Sequence, residues 1–154
     1  MSRSGYTDDG DLDNWALIKW RGQVISAMRG ERGYKLLTEL AAAMDAMPER
    51  ALVKNAFEVE GQYCALGVVG AARGIDMSGL APDDPEDDAD TYEISKRFNI
   101  ARALACEIMY INDDCWVDSP EKRWKRVRQW VTDSLKEIEA YRAKRTSGDN
   151  GSVK

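Results

Sequence analysis

Apolar residues recur every three to four positions along most of this chain, and that spacing predicts helices. Trp15, Ile18, Val24, Ile25 and Met28 place one apolar face on a first helix that Asp11 or Asp13 can cap. After a turn at Gly30 and Gly33, Tyr34, Leu36, Leu37, Leu40, Ala41 and Met44 define a second helix that runs to about Met47. Pro48 ends it, and Glu49–Lys54 reads as a short helical turn. Phe57-Glu58-Val59-Glu60 alternates at period two instead. Two readings follow for 57–64: a small hairpin turning at Glu60-Gly61, or a helix that already starts at Gln62.

The segment Gly61 to Gly74 is apolar, rich in small residues and nearly uncharged. It reads as a buried central helix ending at Gly74, a natural left-handed C-terminal residue. Residues 75–90 read as a loop, because six carboxylates fall within Asp83–Asp90 and Pro82 and Pro85 lie among or beside them. Tyr92–Phe98 reads as a short helix. Asn99 can cap a second buried helix over Ile100–Ile111, apolar on nearly every side, whose alanines suit packing against Gly67, Gly70 and Ala71. Ser119-Pro120-Glu121 starts the last helix well, with an N-cap serine, a proline in the first turn and an early acid. Trp124, Val127, Val131, Leu135, Ile138 and Tyr141 give that helix its packed face. The expected fold is mainly α: one compact domain over 12–143, with five to six helices around two buried helices rich in small residues. A disordered leader (1–11) and a polar tail (144–154) are expected to flank it.

With 154 residues, one domain can bury roughly 68–70% of its unfolded surface without staples. No apolar run reaches the roughly 20 residues a membrane helix needs, and the first residues are acidic, unlike a secretion signal. A cytoplasmic location is expected. The three cysteines (Cys64, Cys106, Cys115) have no metal-ligand spacing and read as free thiols.

The chain contains no histidine. Histidine-dependent nucleophilic catalysis and histidine-ligated zinc are therefore excluded. Phosphate-loop and dinucleotide glycine patterns are missing as well, so no cofactor is implied. Charge is segregated: formal charge is −9 over residues 55–114 and +4 over 115–154, within a total of −5.

Four segments can still carry chemistry. Lys122, Arg123, Lys125, Arg126 and Arg128 crowd the start of the last helix, the positive end of its dipole, where cations cost about 0.3–1 kcal/mol each. Such a stripe serves an acidic partner or phosphates, or is a solvated face neutralised by the acidic loop of Asp83, Asp84, Asp87 and Asp88; that loop reads in turn as a solvated connection or as a negative finger that binds a basic partner. Trp20 and Arg21, with Arg29 and Arg32, combine residue types enriched at interface hot spots; the plainer reading is a core tryptophan and solvated arginines. Glu107, Asp113 and Asp114, with Glu60, can bind a hard cation only if the fold brings them together; otherwise Asn112 and Asp113 terminate a helix. Cys64 as a nucleophile needs a neighbouring cation or helix N-terminus; otherwise it is core.

Trp20-Arg21-Gly22, the run Ser26 to Gly33, Cys64-Ala65-Leu66-Gly67, Arg73-Gly74-Ile75-Asp76, the run Ile108 to Asp113 and Ser119-Pro120-Glu121 with Arg123-Trp124 follow one another in order. Over roughly residues 14–132 this string resembles a family of small uncharacterised bacteriophage and prophage proteins. The resemblance implies an accessory phage protein in the bacterial cytoplasm and carries over no functional residues. The expected function is a non-enzymatic protein-binding module acting on a host or phage protein, with a host defence protein among the candidate targets. The alternatives are a nucleic-acid binder using the 122–128 helix and a carboxylate- or metal-dependent enzyme.

Overall fold

A computed structural model describes residues 14–80, 88–113 and 118–149. Among them are six helices and one two-stranded hairpin: α1 (Asn14–Arg29), α2 (Glu31–Asp45), β1 (Glu58–Val59), β2 (Gln62–Tyr63), α3 (Ala65–Arg73), α4 (Asp88–Phe98), α5 (Arg102–Asp113) and α6 (Pro120–Asp149). The mainly α reading holds, hairpin included.

α1 is apolar on two sides. Trp20, Val24 and Met28, each four residues apart, enter the core, whereas Trp15 and Ile18 remain 66% and 59% exposed and Ile25 39%. The single packed face expected for this helix is thus divided: α2, α5 and α6 pack on it and cover only the Trp20 side. The chain then turns at Gly30, which is extended, into α2. Gly33 lets α2 lie against α1, since a Cβ there would sit 2.0 Å from the Ala27 carbonyl oxygen. Leu36, Leu37, Leu40, Ala41 and Met44 of α2 are buried, and α2 packs on α3 and α6.

No helical turn forms at 49–54. The Leu52 N–H donates to the Pro120 carbonyl and the Val53 N–H to that of Tyr63, both at 3.0 Å. The backbone is committed to the start of α6 and to the hairpin, so no local helix can compete. In the hairpin Glu58 faces Tyr63 and Val59 faces Gln62. Glu60 and Gly61 both have positive φ, 51° and 78°, the two-residue turn that matches strand twist.

α3 begins directly after the hairpin. The Cys64 sulfur accepts the Gly67 N–H at 3.3 Å, and Gly74 closes the helix in the left-handed conformation. α3 packs on α5 as expected, but the nearest neighbours of its glycines come from elsewhere. A Cβ on Gly67 would lie 2.0 Å from the Phe57 carbonyl oxygen, and one on Gly70 would meet Met77 and the Phe98 ring. The glycines admit the strand-side backbone and an aromatic ring, while Ala71 is exposed.

α4 starts at Asp88, four residues before Tyr92, since acidic residues are favoured in a helix's first turn. Asn99 does not cap α5. It has φ 52° and ends α4: the Asn99 N–H donates to Lys96 and the Ile100 N–H to Ser95, the paired bonds of a left-handed helix stop. α5 therefore begins at Arg102 and continues through Asn112 to Asp113. In α6 the Ser119 hydroxyl accepts the Lys122 N–H at 3.2 Å, and the helix continues beyond Ala143 to Asp149. No helix among the described residues is long and apolar enough to cross a membrane.

Candidate partner-binding site

The basic stripe at the start of α6 is largely spent within the fold. Arg123 is 3% exposed and donates to the carbonyls of Leu52 at 2.8 Å and Asp118 at 3.1 Å. Arg126 pairs with the Asp118 carboxylate at 2.6 Å. It also donates to the Ile111 and Asn112 carbonyls at the end of α5. Arg128 makes a two-pronged contact with Asp45 at 2.9 and 3.0 Å, and this hydrogen bond holds the Asp45 carboxyl below its ordinary pKa. Among the described residues these three guanidiniums meet backbone carbonyls and the carboxylates of Asp118 and Asp45. Asp83, Asp84 and Asp87 lie outside the described residues, and the backbone of Asp88 opens α4. Lys122 and Lys125 remain exposed.

Arg29 and Arg32 are also engaged. The Arg29 guanidinium stands 3.9 Å over the Tyr141 ring, and Arg32 donates to the Asn99 side chain at 3.2 Å. Arg142 stands 4.0 Å over Tyr34. The two ring contacts fasten the α1–α2 region to α6, and the Arg32 bond ties it to the end of α4.

The carboxylate candidates have separate duties. Asp113 accepts from the Asn55 N–H at 3.0 Å and the Asn112 amide at 2.8 Å. Asn112 does not end its helix in a left-handed turn. It is buried within α5, accepts the Ala65 N–H at 3.0 Å and donates to the Val53 carbonyl at 2.9 Å. Glu60 is exposed in the hairpin turn, and Asp114 lies outside the described residues. Among the described residues no three His, Cys, Asp or Glu gather as a metal-binding group. Cys64 does sit at a helix N-terminus, yet burial pushes its thiol pKa up to about 12. The core reading of this cysteine fits that environment better than the nucleophilic one.

Trp20 and Arg21 come together elsewhere, in a cleft of about 240 Å³ between α1 and α6 over the middle of α5. Its floor holds Glu107, only 8% exposed, whose carboxylate accepts the Trp20 indole N–H at 2.9 Å. Arg21 and Ile25, one turn apart, line the α1 wall; Trp130, Asp133 and Glu137 line the α6 wall. Ile25 also continues the exposed stripe of Trp15 and Ile18, so cleft and stripe form one surface. The α6 contributors were missed in the sequence. Their spacing of three and four was a signal, but it becomes a site only where α6 packs beside α1.

Compared with known protein families, curated proteins and solved structures, the chain shows no match.

Proposed function

We propose that this protein is a non-enzymatic protein-binding module whose contact surface is the outer face of α1 and the adjoining α1–α6 cleft. One observation carries the reading: a helix already packed through Trp20, Val24 and Met28 presents Trp15, Ile18 and Ile25 to solvent on a second side. Singly exposed apolar residues need no explanation, but an aligned stripe of them marks interaction surfaces. The stripe opens into a cleft whose lining carries three carboxylates and one guanidinium, so the partner surface it fits is apolar with a basic element.

The setting we propose is an accessory protein of a phage or prophage in the bacterial cytoplasm, acting on a host or phage protein. The ordered residue string described above supports that setting. A host defence protein is one candidate target. Nucleic acid has less support, because three of the five cations in the 122–128 stripe are engaged inside the fold.

Affinity capture from bacterial lysate, with and without nuclease, tests this reading. A specific protein retained after nuclease, and lost when Ile18 and Ile25 are both changed to Glu, is the expected result. Retention that depends on nucleic acid, or that ignores these two substitutions, contradicts it.

A further inference from the structure

We infer that the α1–α6 cleft is a receptor for a cationic side chain, arginine by preference, presented by the protein partner. This rests on the binding reading above and names what the site takes. Charge is the first argument. Glu107 at the floor and Asp133 and Glu137 on the α6 wall face a single guanidinium, Arg21. Among the described residues no hydrogen bond or ion pair joins Arg21 to either acid of α6, so the cleft is not latched shut. By formal charge the lining is net negative; Glu107 already holds the Trp20 N–H and Asp133 the Gln129 amide, both neutral donors that leave that charge in place for an incoming cation.

Shape and surface are the second argument. Trp20, Trp130, Val24 and Ile25 line the same space. That lining accommodates a long aliphatic stem and offers aromatic surface to its charged end. Pockets for drug-sized ligands and cofactors run about 300–1,000 Å³; one of about 240 Å³ suits a single side chain. Arginine fits better than lysine because its guanidinium is less strongly hydrated, stacks on aromatic rings and meets carboxylates through two N–H groups at once.

The test follows the indole N–H signals of Trp20 and Trp130 by heteronuclear NMR on the full chain. The probes are N-acetylarginine amide and N-acetylcitrulline amide, which share a shape and differ in charge. Saturable shifts at the tryptophans are expected with the arginine probe, at least about tenfold weaker affinity with citrulline, and about tenfold loss in the variant Asp133→Asn/Glu137→Gln. Arg21→Gln is expected to bind more tightly. Both acid substitutions lie on exposed positions and keep side-chain shape, and an unchanged spectrum elsewhere verifies the fold. Equal response to both probes, or no saturable shift at either indole, overturns the inference. In that event, partner capture that is still lost with Ile18→Glu/Ile25→Glu leaves the binding reading standing. Capture unaffected by those substitutions removes that reading independently.

Discussion

The Trp20 indole N–H and the Glu107 carboxylate meet at 2.9 Å across 87 residues of sequence. A buried carboxylate requires donors, and this one ties α1 to α5 beneath the cleft. Trp20→Phe keeps a ring and removes the donor. The expected loss is about 1–3 kcal/mol of unfolding free energy, read from urea midpoints. In a double-mutant cycle with Glu107→Gln, the two residues are expected to couple; additive effects would mean the contact contributes little.

Asn112 is a second long-range polar pin. Its amide holds the first N–H of α3 and the Val53 carbonyl beside the hairpin. Asn112→Ala leaves the buried Ala65 N–H and the part-buried Val53 carbonyl without this partner, for an expected loss of about 1–3 kcal/mol. Hydrogen exchange is expected to accelerate first at Ala65 and the hairpin. Uniform acceleration across all helices would contradict the local assignment.

Glycine substitutions separate close packing from helix propensity. Gly33→Ala and Gly67→Ala drive a methyl group to 2.0 Å from backbone oxygens of Ala27 and Phe57. Backbone must shift, and losses of about 1–3 kcal/mol or more are expected. Gly22 lies within α1 with nothing near its added Cβ, so Gly22→Ala is expected to stabilise by about 0.5–1 kcal/mol. Thermal unfolding of the three variants gives opposite signs if the packing is as described.

The Asp45–Arg128 pair sets a pH dependence. The folded Asp45 carboxyl titrates below its ordinary value because Arg128 hydrogen-bonds it. Its contribution is therefore complete above about pH 4 to 5 and disappears as pH falls through the lowered folded value. The Asp45 side chain is half-exposed, which keeps the contribution within about 1 kcal/mol. The stability difference between wild type and Arg128→Gln is expected to stay level from pH 7 to 5 and shrink below pH 4. A difference that grows on acidification would contradict the pairing.

Much of this fold was legible where a local signal has one solution. Gly74 suits a left-handed stop and Ser119-Pro120 a helix start, whereas 57–64 allowed both a hairpin turning at Glu60-Gly61 and a helix from Gln62. Asn99 was ambiguous because asparagine both caps helix N-termini and tolerates the left-handed turn that ends them. Periodicity shows which residues of α1 share a side, not which of its two apolar sides finds neighbours. The basic stripe was read as surplus charge because its acceptors, from Asp45 and Leu52 to Ile111, lie in other elements. The cleft arises from the packing of three helices, so Trp20, Arg21 and Glu107 were singled out from sequence for separate reasons and not as one site.

The most direct measurement compares three forms of the chain for affinity to the captured partner: wild type, Ile18→Glu/Ile25→Glu and Lys122→Gln/Lys125→Gln. All four altered positions are exposed, so the fold is expected to survive in each variant. The account predicts that the α1 variant loses at least about 100-fold in affinity, nearly 3 kcal/mol, while the α6 variant binds like wild type. The reverse pattern, loss in the lysine variant with the α1 variant intact, would contradict the assignment of the binding face.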